Sequence, residues 1–384
     1  MQSFATLGLN EYQLRTAETD RLPRQDLTLP SLGLVGEIGS LLSEVKKKQR
    51  DSSAYVNYES VVVEEFGDTL WYLATIARIA DIPLSLLFAA HAASSCNEIT
   101  FSALQPQQVF QLNTPVMQFE RTLLRLAAAA GSFAGIIEGG SYDADKHAIT
   151  AQLQAICELL IVASNEAGVT LEKAALMSLD KSADRWPKER KFPALFDDGF
   201  PEEEQLPRIL SIDIYEREAK NGKHYVLQRC NDIFIGDRLT DNIMSPDDYR
   251  FHDAFHYAYA AVLGWSPVTR ALMRRKRKSD SRVDEGQDGA RATLIEEGVA
   301  TYIFGVAKEF DFFKGQKPGD LSFTFLKNVR QFVRGYEVDK SPLWLWEEAI
   351  LQGNLAFRFL RENRRGTLKV DLNRRSLIIE GLAR

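Results

Sequence analysis

Val63-Glu64-Glu65-Phe66-Gly67-Asp68-Thr69-Leu70-Trp71-Tyr72-Leu73 is the stretch on which the reading of the fold turns. Its apolar residues belong to a run at helical spacing from Val61 to Ala80. Glu65 and Asp68 stand three apart, so both carboxylates share one helix face, one turn from each other. Upstream lies Gly33-Leu34-Val35-Gly36-Glu37-Ile38-Gly39-Ser40-Leu41-Leu42-Ser43-Glu44-Val45-Lys46-Lys47-Lys48, with helical periodicity from Leu32 to Val45. Glu37 and Glu44 are seven apart, again on one face, with Ser40 between them. Acids set in apolar stripes are poorly placed for burial without a counter-charge. Two facing helices that offer oxygens to Mg²⁺ resolve the conflict, because a hard cation takes carboxylates and water. Solvation explains an isolated pair of acids; two clusters in apolar stripes favour the metal.

Working outward, apolar residues recur at helical spacing again from Phe119 to Ile137 and from Ile149 to Ala163, with a turn at Glu138-Gly139-Gly140-Ser141-Tyr142-Asp143. A weakly patterned segment, 94–116, separates the two helix pairs. Pro187, Pro193, Pro201 and Pro207 then surround Glu202-Glu203-Glu204. Proline stops helices and acidic runs repel, so this is the expected linker. Beyond it, Arg208 to Tyr215 and His224 to Phe234 alternate as strands around an Asn221-Gly222 turn. Helices are expected over Asp247–Leu263, Ala290–Phe310, Phe323–Val333 and Leu343–Leu360. A closing hairpin, 367–372 and 376–380, turns at Asn373-Arg374. The expected fold is mainly α: an N-terminal all-α helical bundle and a C-terminal α+β domain with hairpins. The expected divisions are 1–93, a second helical repeat at 117–186, a linker at 187–207, and 208–384. Aligning Gly39-Ser40 with Gly131-Ser132 suggests an internal duplication, a pseudo-dimer, against chance similarity between small-residue helices.

The 384 residues exceed what one core usually holds, and a net charge of −6 argues against wholesale coating of nucleic acid. Cys96, Cys157 and Cys230 lack paired spacing and read as free thiols of a reducing compartment. The N-terminus has no signal-peptide pattern, and no apolar run reads as long enough to cross a bilayer. Cytoplasmic localisation without a membrane partner is the expectation.

The segment from Asn10 to Ala90 resembles the MazG-type all-α nucleoside triphosphate pyrophosphohydrolases. These bind Mg²⁺ through a Glu-x-x-Glu pair on one helix and a Glu-x-x-Asp pair on the next. Asn10-Glu11-Tyr12-Gln13 is similar to the family's opening helix, and Glu-x-x-Asp followed by Leu-Trp-Tyr is the most specific piece. The resemblance implies hydrolysis of a ribo- or deoxyribonucleoside triphosphate to monophosphate and pyrophosphate, with Mg²⁺, or Mn²⁺ in its place, as cofactor. It also implies association into a homo-oligomer. Carried over residue by residue, it makes Glu37, Glu65 and Asp68 metal ligands. Ser40 departs from the pattern, standing where the family has its second Glu; Glu44, one turn on, is the candidate substitute. Glu64 or Glu44 is the candidate for orienting the attacking water. Lys47 and Lys48 could reach a triphosphate, or could serve the helix dipole at a C-terminus. Trp71 and Tyr72 lie beside the acids, to stack on a base or to fill the core.

The second helical pair offers Gln152 and Ala155 where the first has Glu65 and Asp68. Its tail, Ser178-Leu179-Asp180-Lys181-Ser182-Ala183-Asp184-Arg185, nevertheless resembles the family's closing Asn-x-x-Lys-x-x-x-Arg element, with Ser178 in place of Asn. Lys181 and Arg185 are therefore candidates for the phosphates in a composite site, or else ordinary surface charges. In the last domain, His252 and His256 stand four apart on one helix face, a spacing able to share a metal, with Glu296-Glu297 on a later helix. Arg275 and Arg277 lie in a basic run suited to phosphate, to RNA by counterion release, or to solvent. This region resembles the C-terminal domain that accompanies some MazG-type proteins. Two further functions remain beside hydrolysis: a nucleotide sensor that binds without turnover, and an RNA-binding or RNA-cleaving protein acting through this last domain.

Overall fold

The computed structural model describes residues 6–23, 26–91, 99–105, 114–139 and 146–382. The chain forms two compact units, Met1–Lys188 and Glu189–Arg384. The first is all-α: α1 (Leu9–Thr19), α2 (Thr28–Asp51), α3 (Tyr58–Ile79), α4 (Leu84–Phe88), α5 (Phe101–Leu104), α6 (Met117–Glu138), α7 (Lys146–Ala167) and α8 (Leu171–Arg185). The periodic apolar positions form its core: Leu34, Ile38 and Leu41 of α2, Phe66, Leu70 and Leu73 of α3, Phe119 and Leu126 of α6, and Leu153 and Ile156 of α7. Each such side chain contributes about 1.5–3 kcal/mol by leaving water. The Phe66 and Phe119 rings stack with centroids 6.4 Å apart and tie the two helix pairs together.

The opening helix supplies polar ties. The free backbone amides that begin α4 are satisfied from α1: Leu84 N–H donates to Gln13 Oε1 and Ser85 N–H to Asn10 Oδ1, both at 3.0 Å. The Tyr12 and Ser178 hydroxyls, 2.8 Å apart, join α1 to α8.

Against expectation, α7 is long and apolar enough to cross a bilayer by length and composition alone. Its Ile149, Leu153, Ile156 and Leu160 are buried in the bundle core. Most of the weakly patterned 94–116 segment, and 140–143 of the expected turn, lie outside the described residues.

In the second unit β1 (Ile209–Glu218), β2 (His224–Cys230), β3 (Ile233–Leu239), β4 (Arg365–Asp371) and β5 (Ser376–Glu380) form an antiparallel sheet in the order β3-β2-β1-β4-β5. The helices are α9 (Asp253–Ala258), α10 (Pro267–Leu272), α11 (Ser281–Gly286), α12 (Ala290–Glu309), α13 (Phe323–Phe332) and α14 (Leu343–Asn363). Ile212 and Ile214 of β1, Val226 of β2 and Leu368 and Val370 of β4 share a core with Phe255, Ile303, Trp346 and Phe357 from the helices. The mainly-α chain with a C-terminal α+β unit is as the patterning indicated.

Three local readings are corrected. The run His224 to Phe234 is not one strand: Asn231 and Asp232 both adopt positive φ (49° and 65°) and turn the chain into β3. The helix expected over 247–263 is divided into a 3₁₀ turn at Tyr249–Phe251, α9, and a π turn at Tyr259–Leu263. The linker expected at 187–207 belongs, from Glu189 onward, to the second unit. Buried Asp197 accepts from Leu206 N–H and pairs with Arg208 and Arg270, each at 2.8 Å. Fixed partners for a buried charge make this segment part of a core, whatever its prolines suggest.

Candidate functional site

Glu37 on α2 and Glu65 and Asp68 on α3 each offer one carboxylate oxygen, and these oxygens lie within 4.8 Å of one another. All three side chains are partly buried. Glu37 and Glu65 are hydrogen-bonded to each other. Desolvation first, and then the hydrogen bond and charge of Glu37, push Glu65 up to about 8. Burial and the Asp68 charge likewise raise Glu37. Two carboxylates this close repel when both are ionised, so their approach favours a proton or a cation between them.

Gly67, between the two α3 acids, sets the next element. A Cβ there would meet the Ala174 carbonyl oxygen at 2.5 Å, so only glycine lets α8 approach this closely. One turn beyond Ser178, Lys181 reaches the acids. Its Nζ lies 2.8 Å from Glu64 and is also hydrogen-bonded to Asp68. Burial opposes the charge of Lys181, but Asp68 and Glu64 outweigh it and hold the ammonium above its ordinary range. The lysine from the second helical pair thus meets the carboxylates of the first. Tyr72 stands near the same acids: burial and then the charges of Glu37 and Asp68 raise its phenol. Its ring lies so close to Gly33 that a Cβ there would fall 2.2 Å from a ring carbon. Trp71 packs edge-on against Tyr72 at 5.1 Å, and its buried Nε1 has no hydrogen-bond partner among the described residues.

Other candidates lie elsewhere. Glu44 is two turns, or about 10 Å, along α2 from Glu37. Its carboxylate is taken by Lys47 at 2.5 Å and by the Tyr55 hydroxyl. It does not join the acidic trio, so nothing in α2 replaces the acid absent at Ser40. Tyr55 carried no sequence signal; it pairs with Glu44 through the turn between α2 and α3. Lys48 donates to the Ser52 and Tyr55 carbonyls (3.0 and 3.2 Å), the helix-end role rather than a reach toward phosphate. Arg185 is no ordinary surface charge: it is buried, with its guanidinium over the Trp186 ring.

In the second unit, Glu297 Oε2 lies 3.6 Å from His252 Nε2 and 3.5 Å from His256 Nε2, while Glu296 meets His256 Nδ1 at 2.8 Å. The exposed basic run is corrected at Arg277, which is buried between Asp288 and Glu337, both at 2.7 Å. Those acids occupy its guanidinium, leaving it no free face for phosphate or RNA. Arg275 donates to the Glu202 carbonyl at 3.2 Å.

A family model described as the MazG C-terminal domain matches residues 191–383, just over half of the chain. The chain belongs to this family. The MazG C-terminal domain match coincides with the second unit, so the histidine cluster lies within it and the acidic trio outside it. The chain is also 32% identical over 83 residues to the Gene 37 protein of Mycobacterium phage L5, an alignment spanning 19% of this chain and 73% of that protein. No solved structure matches it.

Proposed function

We propose that the helical unit is a Mg²⁺-dependent nucleoside triphosphate pyrophosphohydrolase. The observation that carries this reading is the convergence of Glu37, Glu65 and Asp68 from two helices, with Lys181 of a third helix beside them. Membership of a MazG-related family supports a nucleotide-related function at the coarse level. An all-oxygen set of three carboxylates suits a hard dication such as Mg²⁺ or Mn²⁺ and fits a soft one poorly. Glu37, Glu65 and Asp68 would hold it. When bound, such an ion supplies Lewis-acid polarisation of phosphoryl oxygens and of water.

The residues of the chain do the rest. Lys181, already a charged donor beside the acids, would turn from Asp68 and Glu64 to an anionic phosphate. Glu64, released from Lys181, is placed to accept a proton from water attacking the α-phosphorus, with pyrophosphate leaving. Tyr72 stands within electrostatic reach of Glu37 and Asp68, with Trp71 packed on its ring. Hydrolysis is measured across the common ribo- and deoxyribonucleotides with Mg²⁺, coupling pyrophosphate release to phosphate detection. Asp68→Asn is expected to lower kcat by about 10²–10³-fold while the chain stays folded. Turnover unaffected in Asp68→Asn would overturn the assignment.

Ser40 favours a second reading, a nucleotide sensor that binds without turnover, because Glu44 is committed to Lys47 and Tyr55 and the acidic cluster is one carboxylate short. Saturable Mg²⁺-dependent nucleotide binding with no pyrophosphate released selects it.

A further inference from the structure

The MazG C-terminal domain holds an arrangement that the acidic trio does not explain. His252, at the N-cap of α9, and His256 present their rings on one face with centroids 5.4 Å apart. Each Nδ1 already has an acceptor. His252 Nδ1 lies 2.9 Å from the Tyr249 carbonyl oxygen, and the Tyr249 ring stacks flat on the imidazole at 4.3 Å. His256 Nδ1 lies 2.8 Å from Glu296 Oε1. Glu296 is itself fixed, accepting from the Ser266 hydroxyl at 2.6 Å and from Val268 N–H at 2.8 Å. With an acceptor at each Nδ1, the neutral form of either ring can carry its proton there and turn the Nε2 lone pair toward an ion.

Both Nε2 atoms face the same oxygen, Glu297 Oε2, at 3.6 and 3.5 Å. The three atoms lie within 4.8 Å of one another. A tetrahedral ion with bonds of about 2.0–2.1 Å sets its ligands ~3.3 Å apart, close to these separations. His256 is fully buried, and its Nε2 has no hydrogen-bond partner among the described residues. Carboxylates outnumber the imidazoles that face them. Glu296 and Asp253 are buried beside Glu297, and among the described residues no lysine or arginine pairs with any of the three. Buried carboxylates need a cation.

We propose that His252 Nε2, His256 Nε2 and Glu297 Oε2 bind a transition-metal dication of the Zn²⁺ class. Two imidazoles and a carboxylate form a borderline donor set, which separates this site from the hard-ion trio of the helical unit. Glu296 and the Tyr249 carbonyl orient the two rings, as outer-shell acceptors do in histidine metal sites. Three protein ligands leave a coordination position for water or substrate, and the Glu297 side chain, 40% exposed, puts that position within reach of solvent. Asp253 Oδ1 stands 3.1 Å from His252 Nε2, and its other oxygen is held by Gln228 of β2. It is thus a fixed anionic neighbour of the open position.

The full chain carrying Glu65→Gln and Asp68→Asn, which silence the oxygen-donor trio, is stripped with chelator and titrated with Zn²⁺ or Co²⁺ alone. One equivalent is expected to bind, Co²⁺ giving the visible absorption of a low-coordinate nitrogen–oxygen site. Adding Glu297→Gln or His252→Gln should abolish the stoichiometric binding and the Co²⁺ spectrum. Glu296→Gln should weaken binding by about 10–100-fold. Glu297 is half-exposed, so its variant tests the site even if a histidine variant fails to fold, and circular dichroism reads folding separately. The proposal is overturned if the stripped chain takes up no equivalent of Zn²⁺, or if Glu297→Gln binds it as the parent does. The first result would mean that protons alone hold the histidines against Glu297. Nucleotide turnover is not read in this titration, so the two assignments fail independently.

Discussion

At the scale of single residues, both units set a charged partner against a shielded carboxylate: Lys181 against Asp68 in the first, Arg270 and Arg208 against Asp197 in the second. Asp197 shows what this contributes to stability. Burial works against its charge, but Leu206 N–H and the Arg270 and Arg208 guanidinia outweigh it and hold the carboxyl below its usual range. A carboxyl depressed in the folded state stabilises fully above its unfolded pKa of about 3.9, and that contribution disappears as pH falls through the folded value. Asp197→Asn takes the nearer carboxylate from Arg270, leaving it Asp288 at 3.7 Å, and is expected to cost about 1–3 kcal/mol near neutral pH, the gap to wild type closing below about pH 4. Urea midpoints across that range check both size and sign; a gap that widens in acid would refute the pairing. Of the residues that matter here, the carboxylates were legible because i,i+3 spacing fixes a shared face. Glu44 was legible as an acid but not as a partner of Tyr55, because a partner across a turn leaves no periodic trace.

At the scale of elements, close approach decides what reaches the acidic trio. The Glu65-x-x-Asp68 turn of α3 can take α8 against it because residue 67 has no side chain. Gly67→Ala gains about 0.8–1 kcal/mol of helix propensity, yet it drives a methyl into backbone and forces the helices apart. Overpacking of that kind costs about 1–3 kcal/mol. The net expectation is a lower melting temperature and a weaker Lys181 contact, read as a further loss of kcat/KM beyond the effect on stability. A variant melting at or above wild type with unchanged kcat/KM would show that α8 does not need the approach. In the second unit the Asn221-Gly222 turn was plain from sequence. The turn at Asn231-Asp232 was not, since no glycine marks its two positive-φ positions.

At the scale of the whole molecule, each unit has its own apolar core, and the boundary at 188–189 falls beside the start of the MazG C-terminal domain match. Residues 189–384 expressed alone are therefore expected to unfold in one cooperative transition with native-like near-ultraviolet circular dichroism. A fragment cut instead at 208 should be markedly less stable, because it lacks Asp197 and Leu206. Equal stability of the two fragments would remove the 189–207 segment from the core. The sequence by itself determined α2, α3, α6 and α7 of the first unit, the α+β character of the second, and which acids and histidines share a face. Those properties follow from periods of 3.6 and 2, which short-range covalent geometry imposes. Only the tertiary structure decided that Lys181 meets Glu64 and Asp68, that Arg277 is buried, that the acidic proline segment is core, and that Glu297 rather than Glu296 closes on both histidines. Each of these joins residues far apart in the chain, and packing chooses such partners through the fit of whole surfaces, which no local spacing encodes.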